Sequence, residues 1–73
     1  MIRDKLIRAL RKKYEADMEA ALATVDIYLA NSVGIGEHPQ HIQEIDKLLS
    51  SYCGAKEKLE SLIRHYDDGE IPF

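Results

Sequence analysis

Apolar residues recur along the first half of the chain at Ile7, Leu10, Tyr14, Met18, Ala21, Val25 and Leu29. Steps of three and four residues place them on one face of a helix. Read this way the repeat is eleven residues, about 3.67 per turn, which predicts a nearly straight helix or a slight right-handed supercoil. Leu6, Leu22 and Tyr28 widen the stripe beyond a simple seam. Neither glycine nor proline interrupts the chain between Ile2 and Asn31, so a helix is expected over residues 2–31.

A second helix is expected over residues 39–66. Pro39 suits its first position, where the missing N–H is no loss, and His38 before it stands where an N-cap would. Its apolar residues repeat every seven. One column reads Ile45, Tyr52, Leu59 and Tyr66. The next reads His41, Leu48, Ala55 and Leu62, and the one beside it Ile42, Leu49, Lys56 and Ile63. Three such columns make a face broad enough for two neighbours. Gly54 falls outside them, where its weak helix propensity is tolerable. Residues 32–38 read as the link, of a length usual between helices of a bundle. Val33 and Ile35 are apolar within it, which predicts that they fold back to plug the end of the bundle; a recognition tip is the competing reading. Gly34 and Gly36 would permit the reversal. The tail at residues 67–73 carries Gly69 and Pro72 and ends the second helix.

The pattern predicts an all-α, single-domain antiparallel two-helix hairpin. A chain of 73 residues has little core of its own, and each helix of a hairpin covers only one side of the other. Cys53 is the sole cysteine, so no intrachain disulfide compensates. Association is the remaining stabiliser. A homo-oligomer is expected, most simply a dimer forming a four-helix bundle. No apolar run approaches the length that crosses a bilayer, and the first residues lack the apolar core of a secretory signal. A cytoplasmic protein with no membrane partner is expected.

Charge is segregated. Residues 1–13 carry six bases (Arg3, Lys5, Arg8, Arg11, Lys12, Lys13) and one acid; the remaining sixty residues carry four bases and twelve acids, for a net charge of −3. Cations at a helix N-terminus oppose the helix dipole, so local helix stability does not explain the cluster. One explanation is a nucleic-acid patch or, less favoured, an anionic-membrane patch using Ile2, Leu6, Ile7 and Leu10. The other is neutralisation within the hairpin or its dimer, where Asp67, Asp68 and Glu70 would lie close by. The acidic net charge and the lack of a base-reading motif favour neutralisation. Three helical ion pairs are expected on the surface: Asp4 with Arg8, Arg11 with Glu15, and Glu60 with Arg64.

Candidate chemistry is sparse. His38 and His41, with Glu37 and Glu44, offer donors on one helical turn, but not the HExxH arrangement and with no cysteine beside them. A cap and a core-edge residue are the simpler roles, and no metal site is assigned. Gly34-Ile35-Gly36 is not a phosphate cradle, because a helix precedes it and Glu37 stands where the anion would. Tyr14, Tyr52 and Tyr66 lie on apolar stripes as core residues. Nothing nearby activates Cys53. No catalytic residue and no cofactor is expected.

The segment Tyr28-Leu29-Ala30-Asn31-Ser32-Val33-Gly34-Ile35-Gly36-Glu37-His38-Pro39 resembles one in small helical proteins of unknown function encoded by tailed (marine T4-like) bacteriophages. Tyr14-Glu15-Ala16 upstream and the helix over residues 42–62 extend the likeness to about two-thirds of the chain. Those proteins often carry Asn-Pro-Val where this chain has Asn31-Ser32-Val33. The resemblance implies a helix–loop–helix layout and a phage or environmental origin, and carries over no site residues. The expected function is therefore non-enzymatic protein–protein interaction or assembly, with nucleic-acid binding through the basic segment as the alternative.

Overall fold

The computed structural model describes residues 2–35 and 39–66, and side chains over 2–30 and 41–66. Two helices account for all of it: α1 (Ile2–Ile35) and α2 (Pro39–Tyr66), with no strand among the described residues. They lie side by side as an antiparallel hairpin 52 Å long and 16 × 15 Å across. The length follows from α1 alone, since 34 residues at about 1.5 Å each span about 51 Å. Asp4 in the first turn of α1 and Arg64 and His65 in the last turn of α2 each complement the helix dipole where they stand.

The seam that holds the helices together has a period of seven on both. On α1 the residues turned inward are Asp4, Ile7, Arg11, Tyr14, Met18, Ala21, Val25 and Tyr28, all buried or half-buried. On α2 they are His41, Ile45, Leu48, Tyr52, Ala55, Leu59 and Leu62. Steps alternate between three and four, the spacing of a coiled-coil seam. The eleven-residue repeat expected for α1 is thus corrected. Leu10 and Leu29 lie outside the seam, 39% and 56% exposed, and Arg11 and Tyr28 take their places. Arg11 can do so because its methylene stem is apolar while its Nε donates to Glu15 Oε2 at 3.0 Å. A strict seven-residue period calls for left-handed winding, not the right-handed or straight course that the apolar residues alone suggest.

The register is set by a few facing residues. Ile7 and Leu62 pack together with Tyr14 beside them. Tyr28 meets His41 edge to face, ring centroids 5.5 Å apart. At the open end, Arg3 Nη2 donates to the carbonyl oxygen of Tyr66 at 3.0 Å, placing a guanidinium on the negative end of the α2 dipole. Opposing residues in these three pairs share one register from end to end.

Helix α1 continues four residues past the expected stop and ends at Ile35. Ser32, Val33 and Gly34 are weak helix formers, but each keeps its N–H, and extending an existing helix adds a hydrogen bond for each residue fixed. Val33 and Ile35 therefore belong to the last turn of α1 and not to a link. The expectation that their side chains plug the bundle lies outside the described residues, as do the N-cap role of His38 and the course of residues 67–73.

The core is thin. Ile7, Ala21, Val25, Ala55 and Leu62 are buried, and no described side chain is fully enclosed. Two of these five are alanines, so Ile7 and Leu62 carry a large share of the packing at their end. Leu62→Ala is expected to destabilise by about 2–5 kcal/mol and lower the thermal midpoint sharply, whereas Leu6→Ala, at a position 60% exposed, should change it by under about 0.5 kcal/mol. Equal effects from the two in circular-dichroism melts would contradict the seam as described. Gly54 makes the opposite case. A Cβ built there meets nothing within 4 Å. Gly54→Ala should therefore stabilise by about 0.8–1 kcal/mol, the difference in helix propensity, and raise the midpoint by several degrees in the same assay.

Candidate interaction surfaces

The helical positions beside the seam divide the rod into two long sides. In an antiparallel pair, the residues following the seam on one helix face their counterparts on the other, and the two sides do not mix. An open groove on the first side is lined by Asp17, Ala20 and Thr24 from α1 and by Ser51, Gly54 and Lys58 from α2. A groove on the second side is lined by Glu15, Met18, Glu19, Leu22 and Tyr52. The same helical positions carried along the chain put Leu6 and Leu10 on the first side. They put Lys5, Arg8, Lys12, Asp26, Leu29, Ile42, Asp46, Leu49, Cys53 and Ile63 on the second.

Charges on the first side are satisfied within the hairpin. Lys13 Nζ donates to Asp17 Oδ2 at 2.9 Å, and Lys47 Nζ lies 3.5 Å from Glu44 Oε2. Accepting that hydrogen bond, and then by its charge, the Asp17 carboxylate raises the pKa of the Lys13 ammonium above its ordinary value. Lys58 Nζ stands 6.0 Å from the centroid of the Tyr14 ring. Arg3, at the open end, also meets Asp4 at 3.6 Å.

The second side differs. Lys5, Arg8, Lys12, Glu19, Asp26 and Asp46 are all exposed there, and among the described residues none makes an ion pair. Of the three ion pairs expected from sequence, Arg11–Glu15 forms, Asp4 takes Arg3 and not Arg8, and Glu60 and Arg64 stay apart. Exposed pairs four residues apart are worth only about 0.3–0.5 kcal/mol, so solvation competes evenly with pairing. Among the described residues Arg3, Arg11 and Lys13 have carboxylate partners, while Lys5, Arg8 and Lys12 share a face and make no ion pair. The contribution expected from Asp67, Asp68 and Glu70 lies outside the described residues.

Apolar exposure is extensive. Ile2, Leu6, Leu10 and Tyr66 crowd the open end on the first side, around an apolar groove floored by Ile7 and Leu62. On the second side Leu22, Leu29, Ile42 and Leu49 form a strip over the other half of the rod. The third column of α2 is thus the one that α1 leaves uncovered: Ile42 is 74% and Leu49 44% exposed. Tyr66, expected in the core, is exposed in the last turn of α2.

His41 is half-buried against Tyr28, and His38 and Glu37 lie outside the described residues. Among the described residues no three of His, Cys, Asp and Glu are grouped to hold a metal ion. Cys53 is exposed. Tyr14 and Tyr52 are half-buried on the seam. The grooves are open along their length, so they offer surface for another chain more readily than a pocket for a small molecule. No helix among the described residues is long and apolar enough to cross a membrane. No family model matches the chain, and neither a curated protein nor a solved structure gives a match.

Proposed function

We propose that this protein is a non-enzymatic interaction or assembly protein, of phage origin, whose hairpins associate with one another, most simply in pairs as a four-helix bundle. One observation carries the reading. Nine large hydrophobic side chains are exposed among the described residues, against five buried apolar residues. Scattered surface leucines need no explanation, but contiguous apolar strips on a rod this thin mark surfaces meant to be covered. A second hairpin does this by the same packing that joins α1 to α2. The phage connection rests only on the resemblance carried by residues 28–39, with Tyr14-Glu15-Ala16 upstream and the helix over residues 42–62. Gel filtration coupled to light scattering should return a mass of at least twice 8.3 kDa at micromolar concentration. A cooperatively melting monomer would sink the proposal.

A second reading, nucleic-acid binding, draws on three exposed cations, Lys5, Arg8 and Lys12, that share one face and make no ion pair among the described residues. The net charge of −3 weighs against it. Three phosphate contacts would give an affinity falling with a log–log salt slope of about −2.7 on duplex DNA. Fluorescence anisotropy with labelled duplex is expected to show no such salt-dependent binding near physiological ionic strength. Binding with that slope, lost on Lys5→Glu/Lys12→Glu, would promote the second reading.

A further inference from the structure

Helix α1 carries, seven residues apart in one column of the second side, Lys5, Lys12, Glu19 and Asp26. Two bases are followed by two acids, all four are exposed, and none is ion-paired within the hairpin among the described residues. A column of this kind is complementary to itself when reversed. The midpoint of Lys5 and Asp26 is also the midpoint of Lys12 and Glu19, and it falls between Glu15 and Ala16. On α2 the exposed Ile42 and the half-buried Ile63 share a midpoint between Tyr52 and Cys53. The hairpin register, in which Ile7 packs on Leu62 and Tyr28 on His41, sets those two midpoints at the same level of the rod to within about one residue, or ~1.5 Å.

From this coincidence we propose that the second side is the interface between two copies of this chain, stacked antiparallel about a two-fold axis that passes beside Cys53. The proposal rests on the self-association proposed above and specifies its face and direction. The axis lays α1 on α1 and α2 on α2. Lys5 of one copy then meets the partner's Asp26, Lys12 meets the partner's Glu19, and two-fold symmetry makes each contact twice. Ile42 and Ile63 meet on the α2 half, and the strip containing Leu22 and Leu49 is covered. One contact opposes the arrangement: Asp46 and the partner's Glu60 come to the same level. Arg8 and Lys56, exposed on this side, stand near enough in level to offset it. A parallel stack would instead gather the basic ends of both copies at one end, where like charges repel. The first side offers no such pairing, since Lys13 and Lys47 already have Asp17 and Glu44.

The test is a charge swap read by sedimentation equilibrium, with a Cys53 cross-link as a positional readout. All four charged positions are exposed, and circular dichroism at each step checks that the helices persist. Lys5→Glu/Lys12→Glu should raise the dimer Kd at least about tenfold in low salt, as should Glu19→Lys/Asp26→Lys, because each turns four attractive contacts repulsive. The fourfold variant, with both pairs exchanged, should return to within about threefold of the parent, and the differences should shrink near 1 M salt. A short bis-maleimide, which alkylates one thiol at each end, should join two parent chains through Cys53 at concentrations where they dimerise. It should join few chains of the double variants. A chain that is monomeric throughout overturns this inference together with the self-association it rests on. A dimer that forms without Cys53 cross-linking, or in which the fourfold variant is no better than the doubles, overturns the inference alone and points to the first side.

Discussion

Everything in this molecule follows from having one seam. Two helices in contact bury one stripe each, and the rest of each circumference faces out. Full enclosure is hard to reach in such an arrangement, and among the described residues no side chain has it: the most buried, Ala21, retains 5% of its exposure. The seam itself alternates large and small residues, Ile7 and Leu62 at one end and Ala21 and Ala55 toward the middle. Small residues let the backbones approach but contribute little apolar area. The hairpin therefore has a well-defined direction and register without a large core, and its apolar surplus is a property of the geometry.

Much of this was legible in the sequence, and the exceptions have a common cause. The two-helix layout, the Pro39 start of α2 and its end at Tyr66 follow from proline and glycine placement, which act locally. Two of the three columns on α2 are its seam, because there the apolar residues and the inward positions coincide. On α1 they do not. Arg11 sits inward on its aliphatic stem, and Leu10 beside it sits outward. A reading that scores whole residues as apolar or polar follows Leu10 and obtains the wrong period. The end of α1 was misplaced for a related reason, since Gly34 weakens a helix without forbidding it.

The surfaces were harder to read. Segregation of charge along the chain was plain, but segregation between the two sides of the rod depends on which positions the seam occupies. Once the period is seven, Lys5, Lys12, Glu19 and Asp26 fall into one column; at eleven they scatter. Ion pairing was equally unreadable. Arg11–Glu15 and Glu60–Arg64 have the same spacing, yet the first forms and the second does not. Arg11 is anchored at the seam, so little freedom is lost on pairing, whereas both partners of the second pair are exposed.

The contact between Arg3 and the Tyr66 carbonyl bears on the order in which the hairpin opens and closes. It joins residues 63 apart, whereas Tyr28 and His41 are separated by thirteen positions in the chain. Closing the longer loop directly is less favourable by about 1.4 kcal/mol, from the logarithm of the ratio. Assembly from the Tyr28 end avoids that penalty, because each seam contact shortens the span left for the next. The clasp then forms last and releases first, and amide hydrogens at the Arg3 end exchange through openings that leave the other end intact. This rod frays from one end, like a zipper with a fixed stop.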